Sequence, residues 1–121
     1  MIVWYNTRCP VCDAGIGWQR NKLLAPVRAG RLAFRDINEE PKALESYGAS
    51  LADIRRRLHA VDEAGRLIVG ADVVVAIWRL TPGEGWLAVL FGNPVMLPLT
   101  RFGYDRFAEA LFAWNRWRGH W

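Results

Sequence analysis

Residues 2–12, "IVWYNTRCPVC", join an apolar run to the only two cysteines of the chain, Cys9 and Cys12. The run Ile2–Tyr5 shows no polar alternation, which is typical of a strand buried on both faces of a sheet. Pro10 suits the first turn of a helix, where its missing N–H leaves no hydrogen bond unmade. The stretch therefore predicts a buried strand, a turn, and a helix with the cysteine pair in its first turn.

This helix is expected to run to about Ala25, because Pro26 disfavours its continuation. Its apolar stripe consists of Val11, Ala14, Ile16, Trp18 and Leu23. Residues 31–37, "RLAFRDI", alternate in polarity and predict a second strand. A strand, a crossover helix and a second strand form a parallel, right-handed unit.

The middle of the chain contains a capped helix and a hairpin. Ser50 followed by Asp53 is a variant of the capping box, and residues 41–47 suggest a short helix before it. In "LHAVDEAGRLIVG", residues 58–70, two apolar runs flank a turn in which Gly65 is free to take positive φ. Residues 71–80, "ADVVVAIWRL", fit a buried helix or a strand, and the run alone does not separate them.

Helical patterns fill the rest of the chain. Residues 86–99 read as a short helix, a break and a short helix, and Thr100 is expected to cap a long helix to about Arg118. The element order predicts an α/β, thioredoxin-like fold: a four-stranded mixed sheet, with a parallel pair plus an antiparallel hairpin, and flanking helices. We expect one domain over residues 1–121, with a core at 1–80 and a helical C-terminal extension at 81–121 packed on it.

The length, cysteine count and net charge of the chain restrict the class of protein to which it can belong. A chain of 121 residues fits one domain, and two cysteines are too few for a secreted disulfide scaffold. The N-terminus lacks the basic region of a signal peptide, and no apolar stretch reaches the ~20 residues of a membrane span. We therefore expect a cytoplasmic protein. The net charge of +4 is too diffuse to indicate nucleic-acid binding, although it favours acidic partners or an anionic membrane surface.

A Cys-x-x-Cys motif at a helix start has a defined chemical use. The unpaired N–H groups and partial positive charge of the helix N-terminus stabilise a thiolate, which is the reactive species. We expect Cys9 to lie at the helix cap as the more exposed thiol and the nucleophile, and Cys12 to resolve the mixed disulfide. Arg8 should favour the Cys9 thiolate, and Asp13 should disfavour a second thiolate nearby.

Other uses of the pair stay open at this point. A zinc site needs about four ligands, and only His59 and His120 remain to join the cysteines. An iron–sulfur cluster lacks its other cysteines. Two buried, inert thiols are a further possibility, since free cysteine is among the most buried residues. A redox role fits the strand–motif–helix context best, and it requires no metal or organic cofactor.

Three blocks of the sequence resemble the DCC family of thiol-disulfide oxidoreductases, a thioredoxin-like group of small bacterial proteins. They are "VWYNTRCPVCDAGI", "LHAVDEAGRLIVGAD" and "NPVMLPLTRFGYDRFAEALFAWNRW", in the family's order and over nearly the whole chain. The resemblance implies a thioredoxin-like core with Cys9 and Cys12 as the redox pair. It also implies that residues 71–80 form a helix capped by Asp72.

The chain departs from the family pattern beside the motif. The usual opening is Tyr-Asp-Gly-x-Cys, whereas Asn6 and Thr7 stand here in place of the aspartate and glycine. Asn6 lacks the carboxylate but can hydrogen-bond turn amides. Thioredoxins also carry a cis-proline before the hairpin, and residues 42–81 contain no proline.

The remaining polar residues lead to a second hypothesis. His59 is expected to be structural, with proton transfer to the thiols as the alternative. The basic run Arg55, Arg56 and Arg57 and the tail residues Trp117 and Trp121 could form a surface for an acidic partner or a membrane. The first hypothesis is thus an enzyme acting on protein or small-molecule disulfides and thiols, reset by an external reductant. The second is a non-catalytic, thioredoxin-like binding module.

Overall fold

A computed structural model describes residues 1–120 of the chain. Its strands are β1 (Ile2–Tyr5), β2 (Ala33–Asp36), β3 (His59–Val61) and β4 (Leu67–Val69). Its α-helices are α1 (Pro10–Asn21), α2 (Leu24–Arg28), α3 (Leu51–Arg56), α4 (Ala71–Leu80), α5 (Gly85–Gly92) and α6 (Leu97–Arg118). The helix predicted at residues 41–47 is present only as a single 3₁₀ turn, Glu45–Tyr47.

The four strands form one mixed sheet in the order β2-β1-β3-β4. Strands β1 and β2 are parallel, and β3 pairs antiparallel with both β1 and β4. Flanking helices complete an α/β, thioredoxin-like fold, so the predicted fold class is confirmed. The hairpin turns at Gly65, whose φ of 78° is the positive value that the sequence predicted.

Strand β1 is buried on both faces, as its unbroken apolar run predicted. Val3 packs on one side in a cluster with Leu23, Ala60, Val73 and Ile77, among others. Trp4 packs on the other side, in a cluster with residues of α3 and of the segment before it, such as Ile54 and Leu44. Because both faces of β1 are fixed, the position where the chain leaves this strand and begins α1 is fixed as well.

The prediction that Pro26 ends the first helix was wrong. Helix α1 ends at Asn21, and Pro26 lies in the first turn of α2, where a missing N–H removes no intrahelical bond. The chain bends at Leu23, which is fully buried. Of the predicted apolar stripe, Ile16 and Leu23 are buried, whereas the other members are exposed: Val11, Ala14 and Trp18.

Two of the four predicted helix caps, Asp72 and Thr100, differ in the structure. Ser50 and Asp53 form the reciprocal capping box at α3, as predicted. Asp72 does not cap α4, because Gly70 occupies the cap position with a φ of 71° and Asp72 pairs with Arg101 instead.

Helix α6 begins at Leu97, before the predicted cap Thr100. The Thr100 hydroxyl lies inside the helix and donates to carbonyl oxygens of Phe91 and Met96. This helix contacts α3, α4 and α5. No helix in the described part of the chain is long and apolar enough to cross a membrane.

Two glycine substitutions, one at the contact between α5 and α4 and one on α6, are predicted to change the free energy of unfolding in opposite directions. A Cβ on Gly92 would lie 2.6 Å from Cγ1 of the buried Val75, so Gly92→Ala should cost about 1–3 kcal/mol of the free energy of unfolding. Gly103, inside α6, has no atom within 4 Å of such a Cβ, so Gly103→Ala should stabilise by about 0.5–1 kcal/mol. Urea denaturation of both variants measures the difference, and equal effects would contradict the described packing.

Candidate active site

Cys9 is the N-cap residue of α1, as the sequence predicted. Its backbone is extended (φ −82°, ψ 112°), and its sulfur accepts a hydrogen bond from the Cys12 amide at 3.3 Å. The Cys9 carbonyl accepts the first intrahelical bond, from Asp13 N at 2.9 Å. The sulfur therefore lies among the unpaired N–H groups of the helix N-terminus, where a negative charge is stabilised.

A second hydrogen bond reaches Cys9 from the other end of the chain. Asn115, on α6, donates its side-chain Nδ2–H to the Cys9 sulfur at 3.1 Å. The Asn115 Oδ1 lies 2.6 Å from His120 Nδ1, which must carry a proton because the oxygen can only accept. This contact orients the amide with its nitrogen toward the sulfur.

The burial of the two cysteines is the reverse of the prediction. Cys9 was expected to be the more exposed thiol, but it is only 1% exposed, whereas Cys12 is half-buried. The reason is tertiary: α6 lays Asn115, itself 1% exposed, over the Cys9 sulfur. Cys9 is thus covered by a helix that begins far away in sequence.

The pKa values of the two thiols move in opposite directions. The hydrogen bond from the Cys12 side chain, helped by the Cys12 amide and by Asn115, lowers the pKa of Cys9 to about 6, although burial opposes this. The pKa of Cys12 is raised, first because its thiol donates to Cys9, then by burial and by the negative charge on Cys9. At neutral pH the reduced pair therefore holds one thiolate and one thiol.

Asn6 organises the turn that leads into the motif. Its Oδ1 accepts from the Arg8 amide at 3.1 Å and from Asn38 Nδ2 at 2.6 Å, so it makes the predicted bond to a turn amide. The Thr7 hydroxyl donates to Asp36 Oδ2 at 2.7 Å, which ties the turn to the end of β2. Asn6 is buried, and its Nδ2 has no acceptor within residues 1–120.

The other predicted supporting residues lie at or near the helix start. Pro10 is the first residue of α1, as predicted. Arg8 and Asp13 are exposed, and neither is among the groups that shift the pKa of either cysteine. Their predicted influence on the thiols stays a prediction.

His59 belongs to the sheet and not to the helix start that carries the thiols. It lies on β3 opposite Trp4, is buried, and has its Nδ1 3.0 Å from the Arg57 carbonyl oxygen. Burial lowers its pKa. Neither cysteine is among its hydrogen-bond partners, which fits the structural role. Across residues 1–120, no three His, Cys, Asp or Glu side chains are arranged to hold a metal ion.

The arginine run binds its own chain. Arg57 pairs with Asp105 at 2.9 Å and Glu109 at 3.3 Å, both on α6. The Arg56 guanidinium lies 4.6 Å from the centre of the Phe112 ring, also on α6, and Arg55 donates to Asn38. These residues therefore join α3 to α6 and to the turn beside the cysteines.

The predicted tail surface is described in part. Trp117 is 78% exposed, with the Arg118 guanidinium 5.8 Å from its ring centre. Trp121 lies outside the described residues. Contact of these side chains with a partner or a membrane stays a prediction.

Sequence reasoning missed Asn115. It stands seven residues after Ala108 and four after Leu111, so it is a polar residue in the apolar stripe of α6. A buried amide in such a stripe requires a partner, and this was the available signal.

Next to Cys12, a cavity of about 270 Å³ opens between α1, α4 and α6. Its walls are mainly aliphatic and aromatic, with Trp78, Phe107 and Phe112 among them. Leu58, which precedes β3, also lines the cavity. Its main-chain amide donates a hydrogen bond to the Tyr104 hydroxyl oxygen at 2.9 Å.

The sheet order and a Cys-x-x-Cys pair at the N-terminus of α1 define a thioredoxin-like protein with a dithiol site. The family model of the DCC1-like thiol-disulfide oxidoreductases matches residues 3–117, nearly the whole chain. The chain belongs to this family, as its three sequence blocks predicted. Comparisons with curated proteins and with solved structures gave no significant match.

The hydrogen bonds on the Cys9 sulfur predict an order of pKa changes. Both Cys12→Ala and Asn115→Ala should raise the pKa of Cys9 from about 6 toward its usual value, with the larger rise in Cys12→Ala, because Cys12 supplies the strongest bond. Thiolate absorbance at 240 nm against pH measures this in the reduced protein. Trp117→Ala, an exposed position on the same helix, is the control and should leave the pKa unchanged. A Cys9 pKa insensitive to both substitutions would contradict the described bonds.

Proposed function

We propose that the protein catalyses thiol-disulfide exchange with Cys9 as nucleophile and Cys12 as resolving thiol. The observation that carries the proposal is the position of the Cys9 sulfur at the N-cap of α1, 3.3 Å from the Cys12 amide, where the pKa of Cys9 is lowered and that of Cys12 is raised. Membership of a thiol-disulfide oxidoreductase family supports it. Asn115 and the Cys12 amide support it further, because both donate to the attacking sulfur.

The reaction is two successive displacements. The Cys9 thiolate attacks one sulfur of the substrate disulfide, forms a mixed disulfide and releases the other sulfur as a thiolate that takes up a proton. Cys12 then loses its proton and attacks the Cys9 sulfur, which breaks the mixed disulfide and releases the second thiol. The protein is oxidised by two electrons and the substrate is reduced by two. An external thiol reductant returns the Cys9–Cys12 disulfide to the dithiol.

Access to Cys9 requires a local movement. Since the sulfur is 1% exposed, a disulfide reaches it only when the end of α6 that carries Asn115 moves aside. Asn115 lies four residues before the C-cap Gly119, in the last turn of the helix, and terminal turns open more readily than helix interiors. Exchange is then limited by how often this turn opens as well as by the chemistry.

The cellular compartment and the substrates of the protein are part of the same proposal. A low-pKa dithiol that must be reset by a thiol reductant suits a reducing compartment, and we place the protein in the cytoplasm. Protein and small-molecule disulfides are both candidate substrates.

A second candidate function is that of a thioredoxin-like binding module. It is favoured by the burial of Cys9 together with the 78% exposure of Trp117, which leaves the tail more available for contact than the nucleophile. In that case Cys9 and Cys12 stabilise the fold and the tail contacts a protein or a membrane surface.

Trapping of mixed disulfides separates the two functions. In Cys12→Ser, exchange stops after the first displacement, so Cys9-linked adducts with disulfide substrates should accumulate on non-reducing gels and by mass spectrometry. Cys9→Ser is the matched control and should trap several-fold less, because Cys12 keeps the burial that disfavours its thiolate and does not lie at the N-cap of α1. Equal trapping by both variants would overturn the assigned roles, and trapping by neither would favour the binding module.

A further inference from the structure

The cavity beside Cys12 has the size and the walls of a small-molecule site. Ile16 of α1, Ile77 and Trp78 of α4, and Phe107 of α6 line it. An apolar cavity of ~150 Å³ holds benzene, so about 270 Å³ accommodates about ten non-hydrogen atoms. Ligand sites of this kind are mostly apolar with a few convergent polar groups.

A glycine in the middle of α1 keeps the cavity open. Gly15 lines it, and no atom lies within 4 Å of the position that a Cβ on Gly15 would occupy. Glycine inside a helix costs about 0.5–1 kcal/mol relative to alanine, so its presence here is unfavourable for the helix itself. The missing side chain leaves space beside the cysteine motif.

The charged groups of the cavity favour an anionic ligand. Asn6 also lines the cavity, but it is only 3% exposed and its Oδ1 is held by the Arg8 amide and by Asn38. The run Arg55, Arg56 and Arg57 also lines it, whereas no Asp or Glu does. Arg57 is neutralised by its carboxylate partners on α6, which leaves Arg56, stacked on Phe112, as the cation best placed at the rim.

We propose that this cavity binds a small organic acid with an aromatic or branched aliphatic body of about ten non-hydrogen atoms. The apolar body lies between the side chains of α4 and α6. The carboxylate faces the arginine rim, where no acidic side chain opposes it. The bound acid covers Cys12, which forms part of the cavity wall.

The probe is 4-phenylbutyrate, titrated calorimetrically into the reduced full-length chain. Because Gly15 lies in the cavity wall, a Leu side chain there takes up part of the space, so Gly15→Leu should weaken binding at least tenfold. Gly17→Leu is the matched control: Gly17 lies on the same helix, also has no atom within 4 Å of a Cβ, does not line the cavity, and should bind as the wild type does. Circular dichroism checks that both variants are folded, and Gly15→Ala, with a smaller side chain, gives an intermediate loss if Gly15→Leu does not fold.

Two further probes test the parts of the ligand. The neutral alcohol 4-phenylbutanol should bind about tenfold more weakly than the acid, and butyrate, which lacks the aromatic body, should not bind measurably. Absence of saturable binding of 4-phenylbutyrate up to roughly 10 mM, or equal binding by Gly15→Leu and Gly17→Leu, overturns the proposal. Equal binding of acid and alcohol overturns its anionic part. No thiol chemistry enters this test, so failure here is distinguishable from failure of the exchange reaction.

Discussion

The burial of β1 on both faces is the constraint on which the site depends. With Val3 fixed in one core cluster and Trp4 in the other, the strand cannot shift, and the turn at Asn6 and Thr7 follows at a set position. The bond from Thr7 to Asp36 ties that turn to β2. Cys9 is thereby placed at the N-cap of α1, where the helix stabilises a negative sulfur. The position of the cysteine pair, and with it the lowered pKa of Cys9, thus depends on the packing of a four-residue strand.

Two effects oppose each other at the Cys9 sulfur. Burial disfavours the charged form, and hydrogen bonds to the thiolate favour it. The bonds prevail, because donors reach the sulfur from the Cys12 thiol, the Cys12 amide and Asn115, and its pKa falls to about 6. At Cys12, burial and the negative charge on Cys9 act in the same direction, so the pKa of Cys12 rises. The result is a buried thiolate that depends on α6 for both its cover and part of its stabilisation.

Local patterns made the fold and the cysteine pair predictable from the sequence. The strand, the turn, Pro10 and the motif follow one another within a dozen residues, and the hairpin around Gly65 is equally local. Features that depend on distant contacts were not predictable. Gly70 rather than Asp72 caps α4, because the chain there needs positive φ and lies against the Tyr104 ring, 3.3 Å from where a Cβ would be. The cover on Cys9 comes from a residue 106 positions away.

The measurement that tests the account most directly is the reduction potential of the Cys9–Cys12 pair. Equilibration with glutathione or dithiothreitol buffers, followed by alkylation and mass spectrometry, gives the oxidised fraction at each potential. The account predicts one two-electron transition between roughly −270 and −200 mV, the range from thioredoxin to glutaredoxins, since a stabilised thiolate favours the reduced form. Two thiols that stay reduced under oxidant, or that oxidise without pairing, would contradict it.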